Sequence, residues 1–132
     1  MSGEQRTRIY KSRWFAKFAI RAGISDATLV AAIVQAEQGL IDADLGGGLI
    51  KQRVARPGQG RSGGFRMIVA CRTEERAFFL YGFAKNEREN IEDNELEALR
   101  VVAVDMLVRD DAALERAKAE GEIQEIENGE EA

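Results

Sequence analysis

The residues best suited to chemistry in this sequence form a basic stretch that contains no acid. Between Leu45 and Thr73 the chain carries lysine or arginine at six positions and neither aspartate nor glutamate. These positions are Lys51, Arg53, Arg56, Arg61, Arg66 and Arg72. Arginine dominates the set, and its planar guanidinium matches the paired oxygens of a phosphate. A solvated strand face usually mixes charges, and edge lysines guard against aggregation, but neither explains a run so rich in arginine. The stretch from Lys51 to Arg66 is therefore predicted to contact nucleic-acid phosphates.

The absence of histidine limits the catalytic chemistry that is open to this chain. It excludes histidine-based acid–base catalysis, Ser–His and Cys–His nucleophiles, and most zinc sites. Cys71 is the single cysteine, which excludes an internal disulfide and fits a reducing compartment. Any catalysis must therefore use carboxylates, lysine, arginine, tyrosine or groups of the substrate itself.

A glycine-rich segment inside the basic stretch formally matches a dinucleotide-binding pattern. Gly58-Gln59-Gly60-Arg61-Ser62-Gly63 fits G-x-G-x-x-G. That fingerprint requires a helix that opens at the last glycine and an acid about 20 residues later. A strand pattern follows here instead. We interpret the segment as a hairpin loop in which glycine lets a ligand backbone approach closely.

The charge of the chain is distributed unevenly. Its 132 residues have a net charge of −4. Residues 1–90 hold 15 Lys and Arg against 9 Asp and Glu, a net of +6, and residues 91–132 hold 4 against 14, a net of −10. A basic body with an acidic tail is compatible with nucleic-acid binding. No stretch is long and apolar enough to span a membrane, and Met1 to Lys11 lacks the apolar segment of a secretory signal. A cytoplasmic protein is therefore expected.

The first half of the chain predicts a short strand and two helices. Arg8 to Ser12 alternates polar and apolar residues, and from Arg13 the apolar residues recur at helical spacing until Gly23. Ser25 caps a second helix that ends near Gly39. So short a turn predicts an antiparallel helical hairpin.

The second half predicts a sheet and a further helix. Three runs with strand character, Leu49–Ala55, Phe65–Arg72 and Arg76–Ala84, should form an antiparallel meander with Lys51 and Arg53 on one face. Adjacent Phe78 and Phe79 favour a central position for the last run. The polar junction after this run can return beside Lys51 and Arg53. A third helix is predicted from Asp93 to Val108.

The predicted fold class is α+β, with the N-terminal helical hairpin packed on a small, three- to four-stranded antiparallel sheet and followed by a C-terminal helix. Residues 1–108 are expected to form the domain and residues 109–132 an acidic, partly disordered tail. The alternatives for this tail are that it covers the basic face in cis or adds a strand through Glu122 to Glu127.

Three segments resemble one protein family, the RelE/HigB-like toxins of bacterial toxin–antitoxin modules. They are the runs Leu45 to Gly60, Ser62 to Arg66 and Tyr81 to Lys85. The resemblance covers roughly residues 10–108. It implies a RelE-like fold and an mRNA interferase that cuts ribosome-bound message. It also implies silencing by a cognate antitoxin.

The resemblance also implies which residues form the site. Lys51 and Arg53 match the two basic positions on the strand after the hairpin, Arg66 matches the arginine after the Ser-Gly-aromatic turn, and Arg88 matches the late arginine of the family. Further RNA contacts are expected from Arg56, Arg61, Lys85 and Tyr81. The C-terminal aromatic hydroxyl of many relatives has no clear match here, so Tyr81 or Trp14 is the expected substitute.

The implied reaction uses the RNA 2′-hydroxyl as the nucleophile and needs no metal and no cofactor. Lys51 would remove the proton because neighbouring cations favour its neutral form. Arg53 and Arg66 would stabilise the phosphorane, and Arg88 would hold the phosphate or the leaving group. The antitoxin is expected to mask this surface with an acidic amphipathic segment. Two alternatives stay open: a ParE-like toxin that inhibits DNA gyrase without nuclease activity, and a non-catalytic nucleic-acid-binding module.

Overall fold

A computed structural model describes residues 7–55, 64–72, 75–88 and 90–127 of the protein. Within these ranges the chain forms one mixed sheet with helices on both faces. In chain order the elements are β1 (Arg8–Ser12), α1 (Arg13–Ala22), α2 (Asp26–Glu37), β2 (Ala43–Gly46), β3 (Leu49–Val54), β4 (Phe65–Arg72), β5 (Arg76–Ala84), α3 (Asp93–Val108), α4 (Asp111–Ala119) and β6 (Ile123–Ile126).

The sheet of the described residues has six strands in the order β2-β3-β4-β5-β1-β6. The predicted meander is confirmed, since β3, β4 and β5 pair antiparallel. The predicted strand number and purely antiparallel pairing are wrong, because β1 pairs parallel with β5 and because β2 and β6 extend the two ends. The strands β2 and β6 have only four residues each, which is too short for a clear alternation of polar and apolar residues. The parallel pairing of β1 could not be predicted because its partner β5 follows much later in the chain.

The two N-terminal helices do not form the predicted antiparallel hairpin. Ser12 and Ser25 cap them, and Gly23 with φ of 73° closes α1 as expected. The chain direction turns by 113° between α1 and α2. Both helices bury apolar residues in one core on the same sheet face, so the sheet sets their angle. Among the described residues, no single helix is long and apolar enough to cross a membrane. The bent pair of α1 and α2 taken together has the length and composition of a span, and nothing more than these two properties indicates one.

Two hydrophobic cores lie on opposite faces of the sheet. The first lies under α1 and α2 and contains Phe79, and the second lies under α3 and α4 and contains Phe78. Both phenylalanines are fully buried, as their adjacent positions predicted. The strand β5 that carries them lies between β4 and β1. The parallel pairing of β1 with β5 ends at Lys11 and Phe79. The part of β5 after Phe79 therefore has no partner in β1.

The chain after residue 108 forms part of the same fold. Asp110 caps α4, and β6 pairs antiparallel with β1. Leu114, Ala117 and Ile123 are buried in the second core. The sequence predicted an acidic, partly disordered tail over residues 109–132, whereas residues 111–126 are largely helix and strand; residues 128–132 lie outside the described ranges. The alternative that this segment adds a strand through Glu122 to Glu127 is confirmed by β6, although apolar residues so sparse within a highly charged segment do not predict its partner strand.

Candidate functional site

The strand register brings three of the predicted cations together. Arg53 and Arg66 are direct cross-strand partners in the β3–β4 pair. Lys51 precedes Arg53 by two positions and therefore lies on the same face. This is the face that α3 and α4 cover further along, because Leu49 on the same side of β3 is buried in the second core. Lys51, Arg53 and Arg66 are called the cation cluster below.

A single carboxylate connects the members of the cation cluster. Asp42 lies 3.2 Å from an Arg53 nitrogen, 3.4 Å from Arg66 Nε and 3.7 Å from Lys51 Nζ. Its backbone N–H donates to the carbonyl of Lys51 at 2.9 Å, which fixes the aspartate at the edge of β3. The Asp42 side chain is only 19% exposed. The site therefore contains an acid that the acid-free run did not predict.

Arg66 is the most buried member of the cluster. Its side chain is 7% exposed, whereas that of Arg53 is 45% exposed. Among the described residues, the Arg66 Nη1 atom is buried and has no hydrogen-bond partner. Since buried polar groups are nearly always paired, an unused guanidinium N–H next to other cations is a feature that an anionic ligand would satisfy.

Gln52 lies between Lys51 and Arg53 in the sequence and holds β3 in place. It points to the opposite face, where it is 3% exposed. Its amide donates to the carbonyls of Ala32 in α2 and Leu40, at 3.0 and 2.9 Å. The Leu40 bond holds the segment that leads to Asp42. One buried side chain thus positions both the cations and their acid.

Arg88 lies beside the cluster and is already extensively bonded. Its guanidinium forms a fork with the Glu95 carboxylate, and it also donates to the Tyr81 hydroxyl at 3.2 Å and the Asn90 carbonyl at 3.0 Å. The Phe83 ring lies 5.4 Å from the guanidinium carbon. The hydrogen bond with Glu95 raises the pKa of Arg88 and lowers the pKa of Glu95.

Asn90 connects Arg88 with the cation cluster. Its side-chain oxygen accepts from Lys51 Nζ at 3.4 Å, while its carbonyl accepts from Arg88. The junction between β5 and α3 therefore returns beside Lys51, as the sequence suggested. Lys85 begins this junction, and its N–H donates to the Gly64 carbonyl at 3.0 Å. A Cβ at Gly64 would lie 2.4 Å from the Val54 carbonyl oxygen, so this position accepts only glycine.

An aromatic cleft of about 500 Å³ lies next to Arg88. Its lining includes Trp14, Phe18, Tyr81, Phe83 and Arg88. Trp14 is 44% exposed, and its ring stacks with those of Tyr81 and Phe18 at centroid distances of 4.7 and 5.4 Å. The two aromatic residues that the sequence offered as substitutes thus contact each other at the end of β5 that pairs with β4 but not with β1.

Not every predicted cation belongs to this site. Arg72 lies at the other end of β4, where it donates to the Leu107 carbonyl at 2.9 Å and pairs with Glu75. Arg56 and Arg61 fall outside the described residues, together with most of the predicted glycine loop. Burial raises the pKa of the Cys71 thiol to about 12, so this cysteine is not a nucleophile at neutral pH.

The fold and the site define a small α+β protein that presents a cationic, phosphate-compatible cluster on one face of a mixed sheet. A family model described as the RelE toxin of the RelE / RelB toxin-antitoxin system matches residues 7–126. The chain therefore belongs to the RelE toxin family, as its motifs predicted. It is the toxin of a toxin–antitoxin system, and this membership implies an antitoxin partner. A comparison with curated proteins finds no match.

Proposed function

We propose that this toxin is a ribosome-dependent mRNA endoribonuclease that inhibits translation and is neutralised by its antitoxin. RelE family toxins are generally endoribonucleases, which supports the proposal. The observation that carries it is the convergence of Lys51, Arg53 and Arg66 on one carboxylate, because the same nitrogens suit the oxygens of an RNA phosphate.

The proposed reaction uses the 2′-hydroxyl next to the scissile phosphate. Lys51 takes its proton while its oxygen attacks phosphorus, and the departing 5′-oxygen receives a proton from water. The products are a 2′,3′-cyclic phosphate and a new 5′ end. Arg53 and Arg66 stabilise the charge of the phosphorane, each by about 2–4 kcal/mol, and Arg88 holds the phosphate or the leaving group. No metal and no cofactor takes part in this scheme.

The neighbouring surface is proposed to hold the rest of the RNA. Tyr81 accepts a hydrogen bond from Arg88, Lys85 begins the same junction, and Arg56 and Arg61 would contribute from the segment between β3 and β4. Trp14 offers an exposed ring beside Tyr81, where an aromatic contact with a base is geometrically accessible. We propose that the antitoxin covers the same cations with an acidic amphipathic segment.

The test is the pair of substitutions Lys51→Ala and Arg66→Ala, induced in bacterial cells without the antitoxin. We expect growth arrest to disappear, together with the new 5′ ends within codons that primer extension detects after induction of the native toxin. Because Arg66 is buried, the pair Lys51→Ala and Arg53→Ala provides a second variant with less risk to the fold. Lys17→Ala with Arg116→Ala removes the same charge from exposed positions on α1 and α4 and should leave toxicity intact.

Undiminished toxicity in both cluster variants, with circular dichroism showing native folds, contradicts the proposal. Growth arrest by the native toxin without new 5′ ends also contradicts it. A supercoiling assay then identifies the ParE-like alternative, which acts on gyrase without cutting RNA.

A further inference from the structure

Asp42 is the one acid bonded to the cation cluster among the described residues, and it faces three positive charges. Because three cations share one carboxylate, the cluster keeps a net positive charge that attracts a further anion. The buried Arg66 Nη1 has no partner among the described residues, so the carboxylate does not use all the donors around it. The exposed side of Arg53 leaves a route from solvent to this position.

A carboxylate and an RNA phosphate compete for this position. Each offers two oxygens and one negative charge to the same lysine and arginine nitrogens. A phosphate and the Asp42 carboxylate held by the same nitrogens would lie a few ångströms apart, and two negative charges that close repel each other strongly at a partly buried surface. A phosphate that bonds all three cations needs the nitrogens that Asp42 now contacts, so the Asp42 side chain must move away from them.

We propose that Asp42 is the internal counter-ion of the RNA phosphate site, holding Lys51, Arg53 and Arg66 in place until the phosphate displaces its carboxylate. This inference rests on the proposed RNA-cleaving function. Displacement requires only rotation of a side chain, because the Asp42 backbone stays bonded to Lys51 and the Leu40 carbonyl stays bonded to Gln52. Asp42 is thus a positioning residue in the free toxin and a competitor of the substrate.

The test compares Asp42→Asn with Asp44→Asn. Both variants remove one negative charge, two positions apart, but Asp44 is exposed and lies outside the cluster. Asparagine at position 44 also keeps an oxygen that can accept from the Gly46 N–H, as Asp44 does. The probe is a fluorescent 2′-O-methyl oligoribonucleotide, which cannot be cleaved, and anisotropy gives the dissociation constant at low salt.

We expect Asp42→Asn to bind the probe about five- to tenfold more tightly than the native protein, equivalent to a gain of about 1–1.4 kcal/mol. Asp44→Asn should change the constant by less than about twofold, because Asp44 is exposed to solvent and the ion pairs of the cluster are with Asp42. Asp42→Glu restores the charge and should return the affinity toward the native value. A purely structural role for Asp42 would not increase RNA affinity.

Equal or weaker binding by Asp42→Asn, or an equal gain in Asp44→Asn, overturns the role of Asp42. Asp42→Ser provides a second neutral variant. Unfolding of both neutral variants also overturns it, because a carboxylate that leaves on binding cannot be required for the fold. If the native toxin leaves no new 5′ ends in cells, the failure lies with the proposed function. If it cleaves message while these affinities do not move, only the counter-ion role fails.

Discussion

Arg88 differs from the cation cluster because each of its three guanidinium nitrogens donates a hydrogen bond in the free protein. Glu95 accepts a fork from it, and the Tyr81 hydroxyl and the Asn90 carbonyl take further N–H groups. Such bonds hold a side chain in one orientation. Lysine has no planar fork, so it cannot reproduce this arrangement although it keeps the charge.

We therefore expect Arg88→Lys to lower message cleavage by about 100-fold, close to the effect of Arg88→Ala. Single-turnover cleavage of ribosome-bound message measures the effect, with Arg116→Lys as an exposed control of the same chemistry. An independent readout is the titration of Glu95, whose pKa is lowered first by its hydrogen bond to Arg88. In Arg88→Ala this pKa should rise toward its ordinary value in a carbon-detected NMR titration. Full activity in Arg88→Lys would show that the guanidinium of Arg88 is not needed for cleavage.

Single residues of the site were predictable to different degrees. Strand alternation alone placed Lys51 and Arg53 on one face, and the register then brought Arg66 opposite Arg53. Asp42 was missed because it lies three positions before Leu45, outside the acid-free run. The available signal was the glycine turn at residues 46–48, which folds β2 back on β3 and returns Asp42 to the cations.

At the scale of elements, β3 positions the site by packing one face and displaying the other. Gln52 bonds it to α2 and to the segment before β2. We expect Gln52→Leu, which keeps a similar size, to lower the free energy of unfolding by about 1–3 kcal/mol, because the carbonyls of Ala32 and Leu40 lose a donor. Urea denaturation measures the change, and Gln35→Leu is a matched control on the exposed side of α2. A stability loss no larger than in the control would show that Gln52 does not fix this element.

The elements with long, regular patterns were predicted well. The predicted bounds of the third helix and of the strands Phe65–Arg72 and Arg76–Ala84 agree with α3, β4 and β5. The turn between α1 and α2 was read as a hairpin because local spacing says nothing about the sheet face that both helices cover. The short strand β2 depends on a partner elsewhere in the chain and was not predicted from alternation, whereas β6 lies in the segment Glu122 to Glu127, for which an added strand was one alternative.

At the scale of the whole molecule, residues 109–127, the described part of the acidic C-terminal segment, form no ion pair with the cation cluster. In the sheet order, β4, β5 and β1 separate β3 from β6. The acids of this segment bond other cations instead. Glu125 pairs with Arg8 and Lys118, and Glu122 pairs with Arg109. The acidic charge of this segment therefore serves ion pairs around β6 and β1, and this use could not be predicted without knowing that β6 pairs with β1.

This network predicts a dependence of stability on pH. The pKa of Glu125 is lowered, first by its hydrogen bond with Arg8 and also by Lys118, despite an opposing effect of burial. A carboxyl with a lowered pKa in the folded state stabilises the protein above its unfolded pKa, and this contribution disappears as pH falls through the folded pKa. We expect Glu125→Gln to cost about 1–3 kcal/mol at pH 7 and much less at pH 3. Urea unfolding at both values measures this difference. Glu120→Gln on the exposed end of α4 is the control, and an equal loss at both pH values would contradict the linkage.

The pairing of β1 has a consequence for synthesis. Arg8 at the start of β1 bonds Glu125 of β6 across 117 positions of the chain, and the parallel partner β5 also follows much later. Contacts so distant in sequence form late, since loop closure must come first. Strand β1 therefore emerges from the ribosome long before either of its neighbours exists. A nascent toxin completes its sheet only after β6 has been translated, so β1 waits for the synthesis of the 117 positions that separate Arg8 from Glu125.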